Sequence, residues 1–428
     1  MLCAMRRAEI RSLSEIAAGS LAQPGVTARE VHTAVAGRVF RMLGGLGEPV
    51  RIIHDGVSAA SYRAVEGALR VPVRAGGRML ADVAREGSTA LADSTRGGLA
   101  LGALNGIAGD RLARDHPDLA LGLTVRRGGQ DVALEAGPLA DAFPDATPRL
   151  AVFIHGLCGT EDTWRIGSLG RHPSPTYGAR LRDELGITPV YVRYNTGLRV
   201  SENGRLLAAA LNRVAAGWPM EVEEIALVGH SMGGLVARSA CHYGEQADHE
   251  WTERLRHVFC LGTPHLGAPL ERAANVAGWA LGRLPESRPF ADLFFNRRSV
   301  GIKDLRFGNC VEEDWCDCEP DEFLRDRCRE VPFLPGATYC FVGATLTRRP
   351  DGLGRFFGDL LVQYPSASGE GRRRRIPFEV ENGHHVGGAH HLRLLNHPDV
   401  YAQIRKWIEP DVPAPVSAAA SASSRSDW

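Results

Sequence analysis

One stretch restricts the fold more than any other: Glu224-Ile-Ala-Leu-Val-Gly-His-Ser-Met-Gly-Gly-Leu-Val-Ala-Arg238. Ile225 to Val228 is a short apolar run, the length of a buried strand. Gly229-His-Ser-Met-Gly233 reads as a tight turn, and Leu235, Val236 and Ala240 then follow at helical spacing. A serine on a sharp strand-to-helix turn has a strained backbone and a crowded neighbourhood. Glycines two residues to either side let strand and helix pass that closely. Such a turn lifts the Ser231 hydroxyl clear of the sheet. It also aims the Met232 N–H and the helix N-terminus at any developing negative charge. The plainer alternative is a glycine-rich turn with a structural serine, and the rest of the chain has to decide.

Residues 1–117 are rich in Ala, Gly and Arg, and apolar spacing predicts helices over 28–43, 58–69 and 74–85. Gly98, Gly102 and Gly106 recur at every fourth position. A small-residue face of this kind permits close helix contact, at a membrane or within the molecule. The run is too short to span a bilayer, which favours packing within the molecule. From Leu121 the period changes. Residues 121–126 alternate, Gly128-Gly129 turns, and 131–135 follow, which reads as a hairpin. Residues 150–154, 189–193, 225–228 and 257–261 read as strands with helices between them. One of those helices is expected to start at a Ser201 cap and end near Ala216. Residues 338–343 and 376–380 are further strands, and Pro398 suits the first turn of a last helix. A hairpin followed by alternating strands and helices predicts an α/β fold, a mostly parallel sheet with helices on both faces. Ligands of such sheets bind at the carboxyl ends of strands. His155-Gly156, Ser231 and Thr263-Pro264 all fall there. The domain reading is a helical N-terminal region over 1–117 and an α/β domain over 118–410. An insertion interrupts that domain at about 265–336, and a Pro/Ala/Ser tail over 411–428 is expected to be disordered.

Composition excludes several classes. The 428 residues carry 50 Lys plus Arg against 50 Asp plus Glu, so no global field favours nucleic acid or an acidic partner. Residues 1–23 have arginines but no apolar core, so no signal peptide is expected. No stretch approaches the ~18 apolar residues of a membrane span. Together these point to a cytoplasmic protein. Nine cysteines, an odd number, then read as free thiols. Cys310, Cys316, Cys318 and Cys328 lie in an acidic stretch without the C-x-x-C pair of a zinc site. Free thiols come first there, a disulfide second, a metal last. Arg372 to Arg375 reads as a solvated loop rather than a nucleic-acid site.

The strand-end segment His155-Gly156-Leu157, the elbow Gly229-His-Ser-Met-Gly-Gly234 and the strand end Gly262-Thr-Pro-His265 together resemble an α/β-hydrolase of the lipase and esterase kind. In detail the chain is similar to bacterial lipases and GPI-inositol-deacylase-like proteins. A late aspartate and a later histidine complete the order Ser, Asp, His. The resemblance covers about 118–410 and leaves the N-terminal helices outside it. It implies ester hydrolysis through an acyl-serine, by a Ser-His-Asp triad and without a cofactor. The chemistry agrees: a serine needs a base, the base an orienter, and the oxyanion two donors.

Met232 N–H follows the nucleophile Ser231 and is the first expected oxyanion donor. By resemblance the second is Leu157, with Gly156 and Gly159 letting that backbone approach a substrate. His155 is expected to hold the loop. The fold places the acid after the strand at 338–343, where Asp351 and Asp359 are candidates. Asp351 sits in Arg-Pro-Asp-Gly, a turn signature. Gly358-Asp-Leu-Leu-Val362, with Ser366-Ala367 beyond it, resembles the lipase segment and selects Asp359. Leu360 departs from the small residue the family often has there. The resemblance places the base before the final helix, among His384, His385, His390, His391 and His397. His384 and His385 are expected to shape the turn after the last strand, and His397 to be tied to the helix N-terminus. Leu392-Arg-Leu-Leu395 resembles the lipase register, in which the histidine directly precedes an apolar residue, a variable one and two leucines. That register selects His391 over His390. No carboxylate or cysteine joins these histidines to suggest a metal.

The expected function is a serine carboxylester hydrolase. The alternatives are an acyltransferase on the same fold and a catalytically inactive binding or scaffold protein. The insertion carries Trp279, Leu281, Phe290 and Phe295, which suit the lining of an apolar cap, with ordinary helix packing as the plainer alternative. An ester with an apolar acyl chain is therefore the expected substrate, with peripheral contact to a lipid surface.

Overall fold

The computed structural model describes residues 5–43, 48–84, 90–168, 175–317 and 319–409. The 411–428 tail and Cys318 lie outside these. Two long helices, α1 (Arg7–Leu43) and α2 (Glu48–Val83), replace the three shorter ones expected, and run through Pro24 and Pro72. They pack antiparallel, with Arg11 facing Asp82 at 3.2 Å and Arg29 facing Glu66 at 3.1 Å. Next comes α3 (Thr95–Asp115), where Ser94 Oγ caps Gly97 N–H at 3.1 Å. The expected hairpin is β1 (Thr124–Arg127) and β2 (Gln130–Val132), turning on Gly128 and Gly129 at φ 57° and 82°.

After α4 (Ala136–Ala142), strands and helices alternate: β3 (Arg149–Ile154), α5 (Tyr177–Leu185), β4 (Thr188–Arg193), α6 (Val200–Gly217), β5 (Glu224–His230) and α7 (Met232–Gln246). The short α8 (Trp251–Arg254) leads into β6 (Leu255–Leu261). The insertion holds α9 (Pro269–Gly282), α10 (Arg288–Ala291) and α11 (Val300–Asp304) and, among the described residues, no strand. The chain then returns through β7 (Thr338–Thr345), α12 (Gly352–Phe357), α13 (Tyr364–Ala367), β8 (Gly383–Gly387) and α14 (Pro398–Ile408).

The eight strands lie in the order β2-β1-β4-β3-β5-β6-β7-β8. β1 is antiparallel to both neighbours, and β3 to β8 are parallel. Side-chain alternation splits the core into two layers, because successive residues of a strand point to opposite faces. Leu150, Val152 and Ile154 of β3 join Ile225 and Leu227 of β5 under α6 and α7. Ala151, Phe153, Ala226 and Val228 join Tyr177, Leu181, Tyr401 and Ile404 of α5 and α14 on the other face.

Three local expectations are corrected. Residues 376–380 are not a strand. Pro377 has no N–H for a ladder, and Ile376 and Phe378 instead bury against the core. The last strand is β8, paired to β7, so His384 and His385 lie within it rather than in a turn after it. Ser201 does not cap α6. The N-cap is Arg199, whose N–H donates to Glu202 at 3.0 Å, while buried Asp304 takes Val200 N–H at 2.9 Å. Ser201 Oγ accepts from Trp315 Nε1 at 3.0 Å instead. In the arginine run, Arg374 turns inward and donates to His265 O at 2.7 Å and to Phe307 O.

The glycine stripe of α3 packs within the molecule. A Cβ on Gly102 would lie 2.8 Å from Gly159 O, and one on Gly106 would lie 3.0 Å from Cys158 N and Cα. Backbone atoms cannot move aside as a flexible side chain can. Gly106→Ala should therefore destabilise the protein by about 1–3 kcal/mol. Gly67 in α2 has open space where its Cβ would point, so Gly67→Ala should stabilise it by about 0.5–1 kcal/mol. Urea unfolding of the two variants reads both signs, and a neutral Gly106→Ala would mean that α3 does not press on the Cys158 loop.

Candidate active site

Strand order locates the crevice. β3 has β4 on one side and β5 on the other, so the chain reverses direction across the sheet beside β3. Loops leaving strands at such a switch point diverge and leave a cleft beyond their carboxyl ends. His155-Gly156 follows β3 and Ser231 follows β5, so both sit at that cleft.

Ser231 links β5 to α7 with φ 55° and ψ −123°. That conformation costs a non-glycine residue about 1–3 kcal/mol. Its N–H donates to Leu261 O at 2.8 Å, and its carbonyl accepts from Gly234 N–H at 3.1 Å. The glycines around it are sterically required. A Cβ on Gly229 would lie 2.5 Å from Gly234 N, and one on Gly233 would lie 2.7 Å from His155 O. Met232 is buried and opens α7, so its N–H is among the helix's unpaired donors.

Across the cleft, the Gly156–Gly159 turn closes with Gly159 N–H on Gly156 O at 3.1 Å. Leu157 is half-buried in it, and Cys158 takes φ 60° while its N–H donates to Thr196 Oγ1 at 3.1 Å. A Cβ on Gly156 would lie 3.0 Å from Ser231 Cβ, so the two strand ends nearly touch. His155 is fully buried. Its Nε2 accepts from Tyr194 N–H at 3.3 Å, which leaves Nδ1 to donate to Gly156 O at 3.0 Å.

Asp359 and His391 meet from separate loops. Asp359 Oδ2 is 2.7 Å from His391 Nδ1, and both residues are buried, 1% and 4% exposed. Asp359 Oδ1 accepts from Leu361 N–H at 3.0 Å and Val362 N–H at 2.8 Å, so the carboxylate cannot swing. His391 N–H in turn donates to Asp359 O at 3.0 Å. The carboxylate fixes the proton on Nδ1 and leaves the Nε2 lone pair free, and that nitrogen is buried without a hydrogen-bond partner among the described residues. The ring lies 4.7 Å from that of His230 and against Gly262, where a Cβ would be 3.1 Å from Cε1. His391 thus touches the elbow at His230 and the neighbouring strand end at Gly262.

The other candidates fall elsewhere. Asp351 is exposed at the start of α12, and His390 is exposed. His385 Nε2 is 2.8 Å from Thr345 Oγ1 within the sheet, and His397 Nδ1 caps Asp399 N–H at 3.3 Å. Cys310, Cys316 and Cys328 are free thiols. Among the described residues no group of three or more His, Cys, Asp or Glu is placed to hold a metal, and no helix is long and apolar enough to cross a membrane. Sequence reasoning missed the contact of α3 with the Leu157 loop. The four-residue glycine repeat signalled a close contact but not what it contacts.

Residues 146–278 match the family model described as "PGAP1-like alpha/beta domain", a segment that includes Leu157, Ser231 and Met232. This is an α/β-hydrolase fold. No curated protein matches the chain. Among solved structures it is similar to the Bacillus licheniformis lipase BlEst2 in mature form, at 21% identity over 58% of this chain and 86% of that one, TM-score 0.38. The propeptide form of that lipase aligns at 20% identity over 64% of this chain and 53% of that one, TM-score 0.41, so this chain spans about half of its length. The Pyrococcus furiosus esterase PF2001 aligns at 14% identity over 62% and 83%, TM-score 0.35.

Burial holds three histidines of this region neutral. It lowers His155 to about 4 and His230 to about 3, the latter also through His391, and it pushes His265 well below its ordinary value. In the unfolded chain they titrate near 6.5. Below that pH the unfolded state binds protons that the native state refuses. Their contribution is therefore complete above pH 6.5 and falls as pH drops toward 4, by up to about 1.4 kcal/mol per pH unit for each ring. Urea unfolding at pH 7.5, 6 and 5 should show this decline. A flat profile would mean the rings take up protons without unfolding.

Proposed function

We propose that the chain is a serine carboxylester hydrolase, lipase- or esterase-like, acting through Ser231, His391 and Asp359. What carries the reading is the buried Asp359–His391 pair, 2.7 Å apart, beside a serine held at positive φ. Ser231 Oγ attacks the ester carbonyl carbon, and its proton passes to His391 Nε2. Asp359, ionised, stabilises the resulting imidazolium and keeps the ring in the right tautomer. The carbonyl oxygen becomes an anion, held by the Met232 and Leu157 N–H groups and by the partial positive charge at the start of α7. The adduct then collapses. The alcohol leaves with the proton from His391, and the acyl group stays on Ser231. Water, giving a proton to the same histidine, attacks the acyl-serine, releases the acid and restores the serine.

In this reading residues 118–410 form the catalytic domain, 265–336 its cap and 1–117 an N-terminal extension. Exposed Leu270, Trp279 and Phe290 on the insertion support a substrate with an apolar acyl chain. The free thiols support a cytoplasmic location.

Turnover of a short-chain p-nitrophenyl ester tests the roles. Ser231→Ala should lose roughly 10⁴- to 10⁶-fold in kcat while keeping its fold. Asp359→Asn should lose about 10⁴-fold by presenting the wrong tautomer, and Asp351→Asn should change little. His391→Ala should be as inactive as the serine variant and His390→Ala close to wild type. Full activity in Ser231→Ala, or the reverse order within either pair, would remove the assignment.

A further inference from the structure

The loop that carries Asp359 exposes more apolar surface than its own packing explains. Phe356 is 67% and Leu360 63% exposed, and Leu346, Phe357, Leu361 and Leu392 are exposed with them. The backbone gathers these residues. Leu346 N–H donates to Gly358 O at 2.9 Å, Leu360 N–H to Phe357 O at 3.2 Å, and the Phe356 and Phe357 rings lie 5.2 Å apart. Leu392 follows His391, whose N–H bonds to Asp359 O at 3.0 Å. The patch is therefore continuous with the Asp359–His391 pair.

Leu360 decides how the patch is read. It sits at φ 85°, a conformation L side chains rarely adopt and glycine holds without strain. In the isolated chain a leucine there is strained and gains no burial. A large apolar side chain held out in this way makes physical sense when an apolar medium receives it.

The surrounding charge selects that medium. Arg348, Arg349, Arg355 and Arg393 are exposed beside the patch, and Asp351 is the exposed acid of the 346–361 segment. Aromatic and leucine side chains ringed by arginines match a surface where acyl chains lie beneath anionic headgroups. A second copy of the chain, docked through the same face by a two-fold axis, would set these arginines against their own images. We propose that the 356–361 face, with Leu346 and Leu392, docks on an anionic lipid surface and so holds the Asp359–His391 end of the site against it. The proposal deepens the ester-hydrolase reading by naming where the substrate lies, and its biological sense rests on that reading. Docking itself is measured without turnover.

The test is co-sedimentation of the full chain with vesicles of phosphatidylcholine alone, or with about one third phosphatidylglycerol. The wild type should bind the anionic vesicles roughly tenfold more tightly or better, with salt weakening the difference. F356S/F357S should lose on the order of tenfold or more, and R348Q/R349Q most of the anionic preference, both hydrolysing a soluble short-chain ester within about twofold of wild type. L360G relieves the strained backbone, so it should be no less stable in thermal unfolding yet bind vesicles more weakly. Unchanged vesicle binding in F356S/F357S or L360G overturns the proposal, as does a wild type with no preference for anionic vesicles. A wild type that is dimeric by light scattering and monomeric as F356S/F357S, without vesicle binding, places a second copy on the face and also overturns it. A chain that binds vesicles but hydrolyses no ester keeps this surface and removes the enzyme reading, so the two failures are distinguishable.

Discussion

The crossing of β5 and α7 sets the terms for everything around it. Strand and helix approach so closely that a Cβ on Gly229 would lie 2.5 Å from Gly234 N. At that separation a single residue must reverse the chain, and Ser231 does so at φ 55°. The strain, about 1–3 kcal/mol, has no local remedy. It is offset by the burial of Met232, Leu235 and Val236 on the helix and Leu227 and Val228 on the strand. Each such side chain contributes about 1.5–3 kcal/mol. The reactive geometry of the serine is thus a consequence of core packing.

That also explains why the elbow is legible in sequence. Its strand, turn and helix are contiguous, and each glycine answers a steric demand from a residue nearby in the chain. The aspartate and histidine are different. They come together across 32 positions of sequence, from two loops with no periodicity of their own. The residues alone leave Asp351 and four other histidines open, and only the resemblance to lipase segments separates Asp359 and His391 from them. In the structure those two share a 2.7 Å bond, while Asp351 and His390 face solvent.

The misreadings have a common cause. Alternation in Ile376-Pro-Phe-Glu-Val380 corresponds to burial of Ile376 and Phe378 but not of Val380, which is exposed, and burial is not pairing. The strand that does pair, Gly383-His-His-Val-Gly387, has a single strong strand former, Val386, between residues that carry no strand signal. It fits because a Cβ at Gly383 would lie 2.5 Å from the Phe341 ring of β7. The start of α6 is likewise fixed from far away. Asp304 of the insertion bonds Arg199 at 2.6 Å and Val200 N–H at 2.9 Å, so the helix begins before the serine that local capping rules favour. Tertiary partners override local preference wherever a buried charge must be satisfied.

The same logic ties the N-terminal helices to the site. α3 is kinked at Ala108, where φ is −141°. A kink frees carbonyls from the helical ladder, and freed carbonyls near a core need donors. Ser299 Oγ reaches Gly106 O at 2.6 Å, Ser299 N–H reaches Ile107 O at 3.0 Å, and Asn195 Nδ2 reaches Gly109 O at 3.0 Å. Those donors come from the insertion and from the segment after β4. Arg193 adds a bond to Ala92 O at 2.7 Å while its other donors hold Glu161 at 2.6 Å. With Gly102 and Gly106 lying against Cys158 and Gly159, α3 forms the outer wall of the Leu157 turn. The turn therefore has its shape set from two sides, by His155 beneath it and by a helix from the part of the chain where the sequence shows no chemistry.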